Sequence, residues 1–164
     1  MKFSIRQSVG VPPARAMEAY GSPSFYEGRP ARDDIDVREV VRHEATHDRV
    51  LLEVRFAFTG SVSPAVRAVV DPGKMSWITR TELLLAEGRS SWTVLPDHYP
   101  DRLRASGTYR FEEGDAGPGT CDVEVEGDLQ VRVPIVGRSV EKVIVGDLRA
   151  YIADEVAGIT GWAL

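Results

Sequence analysis

At 164 residues the chain has the size of one ordinary domain and can bury a core without a disulfide or metal to staple it. Its 43% hydrophobic and 27% charged residues, interleaved along the chain, exclude the disordered, collagen-like and low-complexity classes. A net charge of −5 with no basic patch argues against a nucleic-acid partner. No apolar run is long enough for a signal peptide or stable membrane insertion, so a cytoplasmic location is expected; the oligomeric state is left open. The lone cysteine, Cys121, has no internal partner, and its parity within a strand pattern marks it as a small core residue rather than a nucleophile.

In chain order, Phe3, Ile5, Val9 and Val11 share one parity ahead of Pro12-Pro13. That predicts a first strand, a short helix over roughly 13–20 and another near 22–27. Strand character returns from Val37 to Val41 and again from Val50 to Phe58, where Val50, Leu52, Val54, Phe56 and Phe58 form one face. Ser63 to Ala68 reads as a brief helix, stopped by Asp71-Pro72-Gly73. Strands follow near 76–86, 88–96 and 102–113. The clearest is 121–133, in which Cys121, Val123, Val125, Leu129, Val131 and Val133 face opposite to Asp122, Glu124, Glu126 and Asp128. After Pro134 the period becomes helical, with Val140, Ile144, Leu148, Tyr151, Ile152 and Ile159 on one side almost to the C-terminus.

Element lengths then constrain the architecture. A helix of roughly 25 residues spans about 37 Å, and a strand of roughly 12 residues spans about 40 Å. Antiparallel strands of that length must coil together, leaving a concave face that one long helix can fill. The expected class is α+β, a curved antiparallel sheet wrapped around the C-terminal helix, with short helices after the first strand, in a single domain over 1–164.

This order of elements resembles the helix-grip fold of the START-like superfamily of lipid carriers, polyketide cyclases and aromatases. More narrowly, Met1-Lys2-Phe3-Ser4 and the stretch from Val131 to Glu141, Val-Arg-Val-Pro-Ile-Val-Gly-Arg-Ser-Val-Glu, resemble a bacterial branch of that group to which no activity is attached. The resemblance implies a cavity between sheet and helix and carries over no catalytic residue.

The chemical motifs are few. His43-Glu44-Ala45-Thr46-His47 matches the zinc-peptidase pattern, which needs a helix to bring both imidazoles to one face. Here the motif lies between two strands, where a hairpin should turn, and residues four apart on extended chain lie roughly 13 Å from each other; a helix through 36–48, whose spacing Val37, Val40, Val41 and Ala45 also suit, is the alternative. No metal is expected. His98 falls in a loop between strands and reads as a solvent-facing side chain. There is no nucleophile elbow, dinucleotide fingerprint or phosphate loop, so no cofactor is indicated.

The aromatics carry more. Phe56, Phe58, Trp77, Trp92, Tyr109 and Phe111 share the inward parity of their strands and should converge on the concave face, either as packing or as the walls of a pocket. A hairpin centred on Gly117 would set Gly107 opposite Gly127, giving a sheet bend or open volume beneath the helix. Inward polar residues Gln7, Thr79 and Thr81 would need partners, a ligand or water. Glu141 and Glu155 lie near the apolar stripe of the last helix; the first suits a helix start and the second a helix end emerging past the sheet rim. The candidate ligand-binding set is therefore Phe56, Phe58, Trp77, Trp92, Tyr109, Gly107 and Gly127 from the sheet, with Ile144, Leu148 and Tyr151 from the helix. The expected function is binding or carriage of a mainly apolar, lipid- or polyketide-like molecule. The alternatives are a cyclase- or aromatase-type enzyme of the same fold, or a protein-interaction module whose groove is filled by side chains.

Overall fold

The computed structural model describes residues 1–163, apart from the side chain of Arg38. Strand β1 (Lys2–Val9) leads into helices α1 (Pro13–Tyr20) and α2 (Pro23–Glu27), each opened by a proline in its first turn, where the missing N–H is not needed. Strands β2 (Ile35–Ala45) and β3 (Arg49–Phe58) form a hairpin. The one-turn helix α3 (Pro64–Arg67) and a 3-10 turn (Pro72–Lys74) follow. Then come β4 (Ser76–Leu84), β5 (Arg89–Pro96), β6 (Leu103–Glu113) and β7 (Cys121–Val131), and the 27-residue helix α4 (Gly137–Ala163) ends the chain. All seven strands join one antiparallel sheet in the order β1-β7-β6-β5-β4-β3-β2. This is the helix-grip architecture, a curled sheet with α4 in its concavity, packed against β1, β7 and α1.

The alternation in β7 explains why the centre of the sheet is the driest part of the molecule. Cys121, Val123, Val125 and Leu129 are all essentially inaccessible, and burying a Val or Leu side chain of this kind contributes about 1.5–3 kcal/mol each. On the opposite face Asp122 accepts from Ser8 and Arg6, which pins β1 to β7 at its solvent side.

Strand β2 departs from simple alternation. Its register with β3 slips between Val37 and Glu39 and again between Val40 and Arg42. These two β-bulges place Val37 and Val40, three residues apart, opposite Phe56 and Val54, so both pack on the core. The spacing in sequence is helical, yet the chain remains a bent edge strand. The zinc-like motif lies at its end: His43 is in β2 opposite Leu52, His47 is in the turn to β3, and both are exposed. The turn is held by Thr46, whose hydroxyl donates to Asp48 while its backbone N–H donates to the Arg49 carbonyl.

Candidate functional site

A cavity of about 240 Å³ lies between the concave face and α4. Three rows of cross-strand neighbours build its floor. One runs Phe56, Trp77, Pro96, with the rings of Phe56 and Trp77 stacked 5.9 Å apart. The next brings Val54, Thr79 and Val94 side by side, and the third Thr81 and Trp92, with Leu52 beside them buried in the core. The helix supplies the roof through Ile144, Leu148 and Tyr151, which follow one another at turns of three and four residues and so share a face. Ile144 and Leu148 remain partly accessible, which is what a wall beside empty space requires. The exposed residues Ser61, Lys74, His98 and Val143 also border the cavity and mark where it opens to solvent. His98 therefore sits in solvent, as its loop position implied, but at the rim of the cavity.

Eight of the ten sequence-derived candidates border this space: Phe56, Phe58, Trp77, Trp92, Tyr109, Ile144, Leu148 and Tyr151. Gly107 and Gly127 do not. They face each other across β6 and β7, but the room their missing side chains leave is already taken. The Trp92 ring covers Gly107 from β5 and the Phe3 ring covers Gly127 from β1, with the two ring centroids 6.3 Å apart. The glycine pair thus lets two aromatics lie flat on the sheet; it is not open volume. Gln7 is likewise outside the cavity, opposite Val123, whereas Thr79 and Thr81 border it.

The inner end of the cavity is polar, and two of its tyrosines come from elements that periodicity did not single out. The Tyr20 ring from α1 packs at a tilt of 31° on Tyr109 with centroids 4.4 Å apart, and Tyr26 from α2 donates to the Tyr20 carbonyl at 3.1 Å. Among them lies the carboxyl of Glu155. It is buried, not past the sheet rim as its place near the end of the chain suggested, and it accepts a 2.9 Å hydrogen bond from the Tyr109 hydroxyl. The reason is visible beyond it: Val156 and Ile159 are fully buried, so the covered face of α4 continues past Glu155. Burial pushes the carboxyl above its usual range, opposed by the nearby Arg29 guanidinium and by the hydroxyls of Tyr109 and Tyr151. The same burial, with the Glu155 charge, raises all four surrounding tyrosines, Tyr20, Tyr26, Tyr109 and Tyr151. Glu141, the other helix carboxylate, lies away from the cavity and accepts from the Val131 N–H, tying the end of β7 to α4.

Among the described residues no cluster of His, Cys, Asp or Glu could hold a metal ion, and no helix is long and apolar enough to cross a membrane. Cys121 is buried, and its thiol is pushed up to about 11 by desolvation.

Solved structures share this fold over nearly the whole chain. A Thermus thermophilus protein is 17% identical, with 99% of this chain and 97% of that one covered at a TM-score of 0.65. The Zhui aromatase/cyclase from a Streptomyces species is 15% identical, with 99% and 93% covered at 0.63. A START superfamily protein from Mycobacterium smegmatis is 13% identical, with 99% of each chain covered at 0.62. At these identities the likeness shows the START-like fold and nothing of the ligand. No curated protein matches the chain in sequence. One family model does, from residue 4 to residue 163, and the chain accordingly belongs to DUF2505, a family described as of unknown function.

Proposed function

We propose that the chain, as one domain over residues 1–164, binds and carries a mainly apolar small molecule in the cavity between sheet and α4. The carrying observation is the cavity itself: a space of about 240 Å³ walled by aromatic and aliphatic side chains, open to solvent at one end. A filled core of this size would have closed the gap, because protein interiors pack to crystal-like density and empty space forfeits dispersion contacts. Leaving Ile144 and Leu148 half-covered beside it is a standing cost that a bound apolar body removes. For the same reason a ligand-carrying cavity fits better than an interaction module filled by its own side chains.

A second reading is a cyclase- or aromatase-type enzyme, like the Streptomyces aromatase/cyclase that shares the fold. What favours it is Glu155, a titratable group with a raised proton affinity inside the cavity. The two readings separate on turnover, since a carrier returns its ligand unchanged.

The test is a titration with N-phenylnaphthylamine, an uncharged dye that brightens in apolar surroundings. Saturable one-to-one binding, reversed by an aliphatic or polycyclic hydrocarbon, is expected. Dye signal only on unfolding, with none from the native protein, would refute ligand binding and favour the interaction module.

A further inference from the structure

Two polar atoms at the cavity wall have no hydrogen-bond partner among the described residues: the Tyr151 hydroxyl and the Trp92 indole nitrogen Nε1. Both belong to residues that border the cavity, and both are well buried, Tyr151 at 6% and Trp92 at 4% exposure. A buried donor left without a partner loses its water and gains nothing in return, so two in one cavity are unusual unless a partner arrives. The Tyr151 hydroxyl lies beside the Glu155 carboxyl without reaching hydrogen-bonding geometry, while Tyr109 occupies one carboxyl oxygen.

We infer that the cavity wall at the Tyr151 hydroxyl is a docking point for an uncharged oxygen, a hydroxyl or carbonyl, on an otherwise apolar ligand. The tyrosine hydroxyl can donate and the indole Nε1 can only donate, so a ligand oxygen that meets either must accept. A carboxylate or phosphate is disfavoured because the wall there already carries the Glu155 carboxyl, and the cationic side chains bordering the cavity, Lys74 and Arg102, are exposed. Arg29 is on the outer side, its guanidinium carbon 5.0 Å from the Tyr151 ring centroid in a cation–π contact.

The inference rests on the cavity reading above, and a matched ligand set tells the two apart. Naphthalene, β-naphthol and β-naphthoate share one apolar body and differ only in the polar group. A purely apolar pocket would prefer naphthalene, because the hydroxyl loses its water without replacement. Here β-naphthol should bind roughly three- to tenfold tighter than naphthalene, and naphthoate should bind weakest. Tyr151→Phe keeps the ring that walls the cavity and removes the hydroxyl, so the ratio of β-naphthol to naphthalene affinity should fall to near one. Naphthalene binding at least as well as β-naphthol, a preference that survives Tyr151→Phe, or naphthoate binding tightest would each overturn the docking point and leave the cavity reading standing. If none of the three binds, both fall.

Discussion

Adding one methyl group to either member of the facing glycine pair should destabilise the fold, and the two positions should differ by an amount the structure sets. A Cβ at Gly127 would lie 2.4 and 2.6 Å from two Phe3 ring atoms and 2.8 Å from the Trp92 ring. Those rings can tilt, so the expected overpacking is about 1–3 kcal/mol, offset by about 0.4–1 kcal/mol from the less flexible unfolded chain. The net for Gly127→Ala is about 1–2 kcal/mol, or roughly 2–8 °C in melting temperature for a chain of this size. At Gly107 the obstacle is the backbone carbonyl of Glu126, 2.0 Å from the new Cβ. A carbonyl in the β6–β7 ladder cannot yield without breaking its hydrogen bonds, so Gly107→Ala should cost about 3 kcal/mol or more. Urea unfolding of both variants measures this, and pairing Gly127→Ala with Phe3→Leu should recover about 0.5 kcal/mol or more relative to the sum of the single changes. Gly107→Ala no worse than Gly127→Ala, or strict additivity with Phe3→Leu, would refute the argument that the pair exists to seat two rings.

Glu155 should make stability fall as pH rises. Its native proton affinity is raised, so its contribution is full below the unfolded value near 4.5 and is lost as pH climbs through the higher folded value. Relative to Glu155→Gln, which keeps an acceptor for Tyr109, the wild type should lose up to about 1.4 kcal/mol per pH unit in that window; parallel stability curves would count against a carboxyl raised by burial. Cys121, inaccessible and with its thiol raised to about 11, should resist aromatic disulfide reagents near neutral pH until the protein is unfolded. Stoichiometric modification of the native chain within minutes would contradict that burial.

Most strands and the long helix can be read from the sequence because each has one dry and one wet face, as β7 shows at all but Asp122, which its bonds to Ser8 and Arg6 help to cover. The hairpin register follows from the cluster Gly114 to Gly119, and it is why Gly107 and Gly127 can be paired without coordinates. What fills the gap between them is not legible, since Phe3 and Trp92 reach it from strands distant in sequence. Strand β2 is ambiguous for a different reason: two bulges give Val37 and Val40 a three-residue spacing that periodicity alone assigns equally to a helix. The cavity's sheet and helix walls follow from parity, whereas Tyr20 and Tyr26 enter from α1 and α2, whose docking depends on tertiary packing. Glu155 had a signal, the apolar residues Val156 and Ile159 beyond it on the same helix face; position near the C-terminus is a poorer guide than that continuing stripe.

The central claim is that the space beneath α4 receives an apolar ligand, and filling it tests that most directly. Leu148 is half-covered at the cavity wall, so Leu148→Trp can extend into the void instead of into packed neighbours. Dye affinity and melting temperature measured on the same preparations decide the matter. The account predicts affinity reduced by about tenfold or more with melting temperature held or raised, because a side chain now supplies the contacts a ligand would make. Unchanged dye affinity, or a fold that collapses as an overpacked core would, is the result that contradicts it.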